Sequence, residues 1–182
     1  MATEIESGGL DATVVLNGYN EFKKQLKAAD ADLRKAMDKE IKSFITPVSN
    51  LAKTYVPQVA VRNWKSEGKG EWSNRLGWDQ ATVTKGIVVR QGGKRSRGSA
   101  TSAAWRIQNK SAAGAVYELA GRKSDGSGIA GQTFVKAITM RGGRPSRLIW
   151  RAWDAKGGEQ AITRAVVETI QKFENELQNR LD

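Results

Sequence analysis

The longest regular pattern in this 182-residue chain is a run of apolar residues spaced three or four positions apart. It comprises Phe22, Leu26, Ala29, Leu33, Met37, Ile41, Phe44, Val48 and Leu51. This spacing is typical of one face of an α-helix, and the opposite face carries mixed charges that favour solvent. The pattern predicts a long N-terminal helix, about 40 Å from Asn20 to Thr46 alone. Pro47 lies inside the pattern, so we expect a kink or two abutting helices there.

Shorter patterns predict the other elements. The short run Ala12–Leu16, ended by the Asn17-Gly18 turn signal, predicts a β-strand. Apolar residues at helical spacing predict a C-terminal helix after the break at Gly157-Gly158: Ile162, Val166, Ile170, Phe173, Leu177 and Leu181. Further strand or strand-to-turn segments are predicted for "ATVTKGIVVRQ" (a hairpin or bulged strand around Gly86), "AWRIQN", "AGAVYELA" and "TFVKAITM".

The order of these elements indicates an α+β fold over residues 1–182, as a single domain. We expect a mostly antiparallel β-sheet packed by the long N-terminal helix, kinked near Pro47, and by the C-terminal helix. Residues 1–11 are predicted to form an N-terminal arm. Basic and Gly-rich sequence predicts extended loops at 62–80, 91–103 and 121–132.

The chain contains neither cysteine nor histidine. This excludes disulfides, thiolate chemistry and every His-based acid–base arrangement. The acidic residues of the middle region show no paired spacing typical of a metal or glycosidase site, and no phosphate-binding glycine motif is present. We therefore predict no enzymatic activity, no metal and no cofactor.

The N-terminal stretch lacks the features of a signal peptide, and no apolar run approaches the length of a membrane span. We therefore expect a protein without membrane contact, assembled in the cytoplasm.

The net charge of +11 is concentrated in the middle of the chain. Residues 1–61 hold 8 basic and 8 acidic side chains, whereas residues 62–156 hold 19 basic and 6 acidic ones. All six tryptophans also lie in this middle segment. An interaction surface is therefore expected there.

The best candidates for phosphate contact lie in and next to the first basic loop: Arg90, Lys94, Arg95 and Arg97. Flexible basic loops bind nucleic-acid backbones without reading base sequence. The same residues could equally keep the subunit soluble or pair with an acidic neighbour. Since no helix-turn-helix or zinc-finger pattern occurs, we expect no base-specific recognition.

Three tryptophans lie in a segment without periodicity: Trp64, Trp72 and Trp78. Tryptophan in such a segment is more often a core anchor or an interface residue than a platform for stacked bases. We therefore favour a subunit interface for these residues over base stacking.

The stretch "GGRPSRLIWRAWDA" (142–155) combines three arginines with two tryptophans. If Ser146–Asp154 is helical, with Pro145 in its first turn, one stripe is apolar: Leu148, Ile149, Ala152 and Trp153. Arg147 and Arg151 then lie on the opposite side and stay available for subunit contacts. The apolar stripe is expected to dock on the core, together with Tyr117.

Four motifs follow one another along the chain: "ATVVLNGYNEFKKQLKAAD", "ITPVSNLAKTYVP", "AGAVYELAG" with Tyr117 and Glu118, and "GRPSRLIWRAWDA…AITRAVVETIQKF". In this order they resemble the neck and tail-completion proteins of long-tailed bacteriophages, and they span most of the chain. The resemblance implies a structural virion protein that forms a ring, of six or twelve copies, where the DNA-filled head joins the tail. It implies contacts with head–tail connector or stopper proteins and with tail-tube protein.

On this interpretation the basic residues from Arg90 to Arg97 face packaged DNA without sequence preference. The subunit interfaces use the tryptophans named above, Arg147 and Arg151, and Arg122 and Lys123 of the loop 121–132. The alternative is a stand-alone, sequence-independent nucleic-acid-binding protein. A small basic nuclease or toxin is disfavoured, because the chain lacks histidine and a carboxylate cluster.

Overall fold

The computed structural model describes residues 3–6, 11–16, 19–61, 64, 77–91, 103–121 and 129–181. In these ranges the chain forms seven helices and four strands, so the fold is mixed α+β and rich in helix. In chain order the elements are β1 (Thr3–Glu6), β2 (Asp11–Leu16), α1 (Tyr19–Ala29), α2 (Ala31–Thr54), α3 (Gln80–Gly86), β3 (Ile87–Gln91), β4 (Ala103–Asn109), α4 (Ala112–Leu119), α5 (Ile129–Gly142), α6 (Ile149–Ala155) and α7 (Gly158–Leu181).

The four strands form one antiparallel sheet in the order β1-β2-β4-β3. Helices pack against it along its width: α2 contacts β3, α6 contacts β2 and α7 contacts β1. Ile87 of β3 and Ile107 of β4 are completely buried, and both lie on the same face, as strand periodicity requires. The helices therefore pack against the sheet, and the interior contains apolar residues of β3 and β4.

The core is centred on α2 and α7, which pack side by side. The two helices bury apolar residues at steps of three and four: Leu33, Met37, Ile41, Ile45, Val48 and Ala52 from α2, and Ile162, Val166, Ile170 and Phe173 from α7. The prediction of two amphipathic helices is therefore confirmed. In the N-terminal pattern, however, Phe44 is exposed and its neighbour Ile45 takes its place in the core.

The long N-terminal helix is divided at Asp30. Of the two alternatives predicted for Pro47, abutting helices are wrong because α2 is continuous there, and a kink stays a prediction. The carboxylate of Asp30 accepts hydrogen bonds from the backbone N–H groups of Asp32, at 2.8 Å, and Leu33, at 3.0 Å, and so begins α2. Helix α2 then continues through Pro47 to Thr54. A proline removes one helical hydrogen bond, but the buried side chains of Ile45 and Val48 hold the helix on both sides of it.

Three segments predicted as strands are helices. "ATVTKG" belongs to α3, where Asp79 caps the first turn by accepting a hydrogen bond from Thr82 N at 2.7 Å. "AGAVYEL" belongs to α4, which Ser111 caps through Gly114 N at 2.9 Å. "TFVKAITM" lies inside α5. Short apolar runs fit a buried strand and a buried helix equally well, and the capping residues decide between them here.

The remaining strand predictions agree with the structure more closely. "AWRIQN" lies in β4, and β2 begins one residue before the predicted strand. Thr3–Glu6, within the predicted N-terminal arm, form β1. Of the predicted loops, residue 80 is in α3, residue 91 in β3, residue 103 in β4 and residues 129–132 in α5. Most of 62–76, and all of 92–102 and 122–128, lie outside the described residues.

We expect the two capping aspartates to make folding stability sensitive to acid. The pKa of Asp30 is lowered below its usual 3.8, mainly by the backbone N–H of Leu33, and the pKa of Asp79 is lowered mainly by the side chain of Thr82. A lowered pKa in the folded state gives stability that is present above the unfolded pKa and is lost as the pH falls through the folded pKa. The midpoint of urea unfolding should therefore decrease below about pH 4, since the unfolded carboxyls titrate there.

The matched control is the double variant Asp30→Asn, Asp79→Asn, because asparagine also caps helices but does not titrate. Its unfolding midpoint should depend less on pH over the same interval. Identical acid profiles for the two proteins would contradict this assignment.

Candidate functional site

The most densely bonded polar group of the described chain lies where α4 and α5 end and α6 begins. We call it the Glu118–Arg147 junction, comprising Glu118 at the end of α4, the turn 143–148 and the end of α5. Glu118 is 2% exposed and Arg147 is also 2% exposed. Two buried, oppositely charged side chains need a specific set of partners, because an unpaired buried charge is very costly.

The carboxylate of Glu118 caps α6 from a distant part of the chain. Its Oε2 atom accepts a hydrogen bond from Leu148 N at 2.5 Å, and its Oε1 atom accepts from Ile149 N at 3.1 Å and Trp150 N at 3.2 Å. The residue at the cap position of α6, Leu148, has no side-chain oxygen to offer. Glu118 thus satisfies N–H groups that a helix leaves free at its start, and its negative charge faces the positive end of the helix dipole.

Burial raises the pKa of Glu118 above its usual value. The three backbone N–H donors, and then the charge of Arg147, act in the opposite direction. Both carboxylate oxygens of Glu118 accept hydrogen bonds from the backbone, so Glu118 has a structural role.

Arg147 binds carbonyl groups in the same region. Its Nη1 atom donates to Tyr117 O at 2.7 Å and to Ala120 O at 3.1 Å, both at the end of α4. Its Nε atom donates to Gly143 O at 2.9 Å, and its Nη2 atom to Thr139 Oγ1 at 3.2 Å, so it also holds the end of α5. The positive guanidinium therefore lies at the negative ends of two helices.

The prediction that Arg147 points away from the docking face was wrong. Helix α6 begins at Ile149, so Arg147 and Pro145 lie in the preceding turn and not on the helix. In that turn Ser146 has φ +76°, and its N–H donates to Glu118 O at 2.8 Å. This left-handed residue turns the Arg147 side chain inward, where burial lowers the pKa of Arg147, with Tyr117 and then Glu118 acting in the opposite direction.

Close packing around Tyr117 explains a glycine at the end of α5. A Cβ atom at Gly142 would collide with the Tyr117 hydroxyl and would lie 2.9 Å from Cδ of Arg147. Burial raises the pKa of Tyr117, and the guanidinium of Arg147 lies 5.6 Å from its ring centroid. Gly142 therefore permits α5 to approach the junction.

The five residues assigned to the docking face all lie in the core: Tyr117, Leu148, Ile149, Ala152 and Trp153. Arg151 is exposed on the other side of α6, as the helical geometry predicted. Its guanidinium lies over the ring of Tyr55, 4.3 Å from the centroid.

Trp64 and Trp78, two of the predicted interface residues, contact other aromatic rings of the same chain. Trp64 lies 5.2 Å from Trp78 and 5.0 Å from Phe134, and Trp78 lies 5.0 Å from Tyr117, measured between ring centroids. The indole N–H of Trp78 donates to Pro57 O at 3.1 Å. Both tryptophans are half-buried, so a neighbouring subunit could contact only the exposed part of each ring.

The phosphate-contact candidates divide between described and undescribed residues. Arg90 is exposed on β3, at an edge of the sheet, and its register partner on β4 is Arg106. The other three candidates, Lys94, Arg95 and Arg97, lie outside the described residues, as do three interface candidates, Trp72, Arg122 and Lys123. Sequence reasoning did not single out Arg106, because only the strand register places it opposite Arg90.

The capping role of Glu118 was also missed, although the sequence contained a signal. A single glutamate within the apolar run "AGAVYELA" indicates a buried carboxylate that requires donors. Its donors are backbone N–H groups about 30 residues later, which no pattern of side chains can reveal.

Comparisons with protein-family models, with curated proteins and with solved structures found no match to this chain. Among the described residues there is no group of three or more acidic side chains placed to hold a metal ion. The helices in that part of the chain include none that is long and apolar enough to cross a membrane.

Replacing Arg147 should unfold the subunit rather than break contacts between folded subunits. Arg147→Glu would bury a second negative charge beside Glu118 and leave the carbonyls at two helix ends without a donor. Removing one member of a buried charged group costs about 3–5 kcal/mol, and a similar loss should appear in urea unfolding. Exposed Arg151→Glu is the matched control and should cost no more than about 1 kcal/mol. Equal losses in the two variants would show that Arg147 is not the residue that holds the junction.

Glu118→Gln should also destabilise the subunit, although it preserves the shape of the side chain. The amide nitrogen of glutamine would face a backbone N–H of α6, so at least one buried donor would lose its acceptor. An orphaned buried donor costs about 1–3 kcal/mol, measurable as a lower urea midpoint than in the control variant Glu168→Gln on the exposed side of α7. A Glu118→Gln protein as stable as the wild type would contradict the capping role.

Proposed function

We propose that this chain is a structural protein of the phage neck. It forms a homo-oligomeric ring that completes the tail and joins it to the DNA-filled head, and it catalyses no reaction. Its partners are copies of itself, the head–tail connector or stopper proteins, the tail-tube protein, and packaged DNA through non-specific phosphate contacts.

The observation that carries this proposal is the Glu118–Arg147 junction. Two of the motifs that resemble the neck family, "AGAVYELAG" and "GRPSRLIWRAWDA", meet there through direct hydrogen bonds. The Glu of the first motif caps the helix of the second, and the Arg of the second binds the last carbonyls of the first. The residues that carry the resemblance thus depend on one another physically, which favours a shared fold over a chance similarity of short sequences.

The polar chemistry of the junction favours a structural role. Both oxygens of Glu118 accept backbone hydrogen bonds, and Arg147 donates to carbonyl oxygens and to Thr139. Catalytic acids and bases must reach a substrate proton, whereas these groups are buried and already engaged.

The position of Arg90 suits a ring that surrounds DNA. It is exposed on an edge strand and leads directly into the basic segment 92–102. Edge-strand cations of several subunits, arranged around one axis, would present phosphate contacts without base specificity.

Virus particles assembled without this protein should lack a firm connection between head and tail. Negative-stain electron microscopy should show separate DNA-filled heads and tails, and supplying the wild-type protein in trans should restore joined particles. As a matched pair, Arg147→Glu should fail to restore joining because it unfolds, whereas the folded Glu168→Gln should succeed. Normal tails joined to filled heads in the absence of the protein would overturn the proposal.

A stand-alone nucleic-acid-binding protein is the second candidate, favoured by the register pair of Arg90 and Arg106 on neighbouring strands. The purified monomer would then retard DNA in a gel, with an affinity that falls steeply as salt rises. The neck proposal expects feeble retardation by the monomer and stronger retardation by the assembled ring.

A further inference from the structure

Three exposed arginines line one open cavity beside the Glu118–Arg147 junction. Arg141 at the end of α5, Arg144 in the turn and Arg151 on α6 border a space of about 520 Å³. The buried Arg147 also contributes to its wall. We call this space the basic cavity.

The wall of the basic cavity is held in place by the junction. Gly143 O accepts from Arg147 Nε, and Ser146 N donates to Glu118 O. Ser146 keeps φ at +76°, a left-handed backbone conformation that a non-glycine residue adopts only where the surrounding structure holds it. A ligand entering the cavity therefore meets a turn whose shape is already fixed, which lowers the entropy lost on binding.

The positive charges of these arginines are available to a ligand. In the stretches that the structure describes, neither Arg141 nor Arg144 takes part in an ion pair. The guanidinium of Arg151 lies over the ring of Tyr55, 4.3 Å from its centroid, and within the described ranges Arg151 likewise forms no ion pair. One acidic residue, Asp154, also lines the cavity.

The three exposed arginines and Asp154 together indicate which class of ligand fits the basic cavity. Exposed guanidinium groups attract anions, and their planar donors match a carboxylate with two hydrogen bonds. The carboxylate of Asp154 favours a ligand that donates a hydrogen bond, and it repels a ligand with a continuous row of negative charges. An acidic peptide supplies both carboxylates and N–H donors, whereas a nucleic-acid backbone presents only acceptors there. A concave space of this size also fits a protruding side chain better than the convex surface of a duplex.

We propose that the basic cavity binds an acidic segment of a partner protein through the carboxylates of that segment. Arg141, Arg144 and Arg151 supply the donors, and Asp154 accepts from the backbone of the peptide. The proposal rests on the geometry of this cavity and does not depend on the neck function.

The test measures binding of a fluorescein-labelled hexapeptide of alternating glutamate and glycine, by fluorescence anisotropy at an ionic strength of about 0.15 M, where charges more than about 8 Å away are largely screened. The same peptide with glutamine in place of glutamate, and a hexanucleotide of thymidines, are compared with it. The cavity variant is Arg141→Glu, Arg144→Glu. The control variant is Lys110→Glu, Arg164→Glu, which makes the same charge change at exposed residues that do not line the cavity.

The wild type should bind the glutamate peptide more tightly than the other two probes. Loss of charge-assisted hydrogen bonds should weaken this binding about tenfold or more in the cavity variant, while the control variant changes it by less than about threefold because distant charges are screened. Unchanged melting temperatures show that each variant is folded. The milder Arg144→Gln provides a second measurement and should reduce binding in the same direction.

Four outcomes would overturn the proposal. They are no binding of the glutamate peptide, equal binding of the glutamine peptide, equal weakening by the control variant, and tighter binding of the hexanucleotide with loss in the cavity variant. The last would make the cavity a nucleic-acid phosphate site. None of these outcomes bears on whether particles lacking the protein join heads to tails, so the two proposals fail separately.

Discussion

The fold depends on the burial of two opposite charges that are satisfied by the ends of helices. Glu118 faces the N–H groups that begin α6, and Arg147 faces the carbonyls that end α4 and the last turn of α5. Each charge would be very costly in the interior by itself. Placed at helix termini, each satisfies groups that lack partners within the helix and lies in a favourable dipole field. Three helices are joined in this way around Tyr117, whose ring also contacts Trp78.

Such a junction determines which structure forms more than it adds stability. Buried charged groups often stabilise no better than apolar residues of the same volume, but they tolerate few alternative arrangements. Here the hydrogen bonds join residues about 30 positions apart and fix where α6 begins. They also fix the turn that orders the basic cavity. The positions of the exposed Arg141, Arg144 and Arg151 therefore depend on the buried Arg147.

The sequence predicted the elements that have long periodic patterns. Helices α2 and α7 follow from apolar residues at helical spacing, from Phe22 to Leu51 and from Ile162 to Leu181, and the strand β4 follows from alternation. Helices α3, α4 and α5 were predicted as strands because their apolar runs are short, and the caps of α3 and α4, Asp79 and Ser111, become decisive only in three dimensions. The candidate site was predicted in part. Trp153 and Arg151 lie as helical geometry requires, whereas Arg147 lies in a turn that a left-handed serine shapes, and no periodic pattern describes a turn.

The distribution of charge connects the two proposals. The chain carries a net charge of +11, so the proposed ring of identical chains would accumulate positive charge and its members would repel one another. Burying Arg147 removes one cation from the surface, but Arg90, Arg141, Arg144 and Arg151 remain exposed. A closed ring of such subunits gains stability when anions neutralise these groups, and two kinds of anion fit the two sites. Phosphates suit the edge strand that bears Arg90, because it is open and leads into a basic segment. Carboxylates suit the basic cavity, because it is concave and contains an acceptor. A subunit with both sites would assemble most readily where DNA and an acidic protein surface meet.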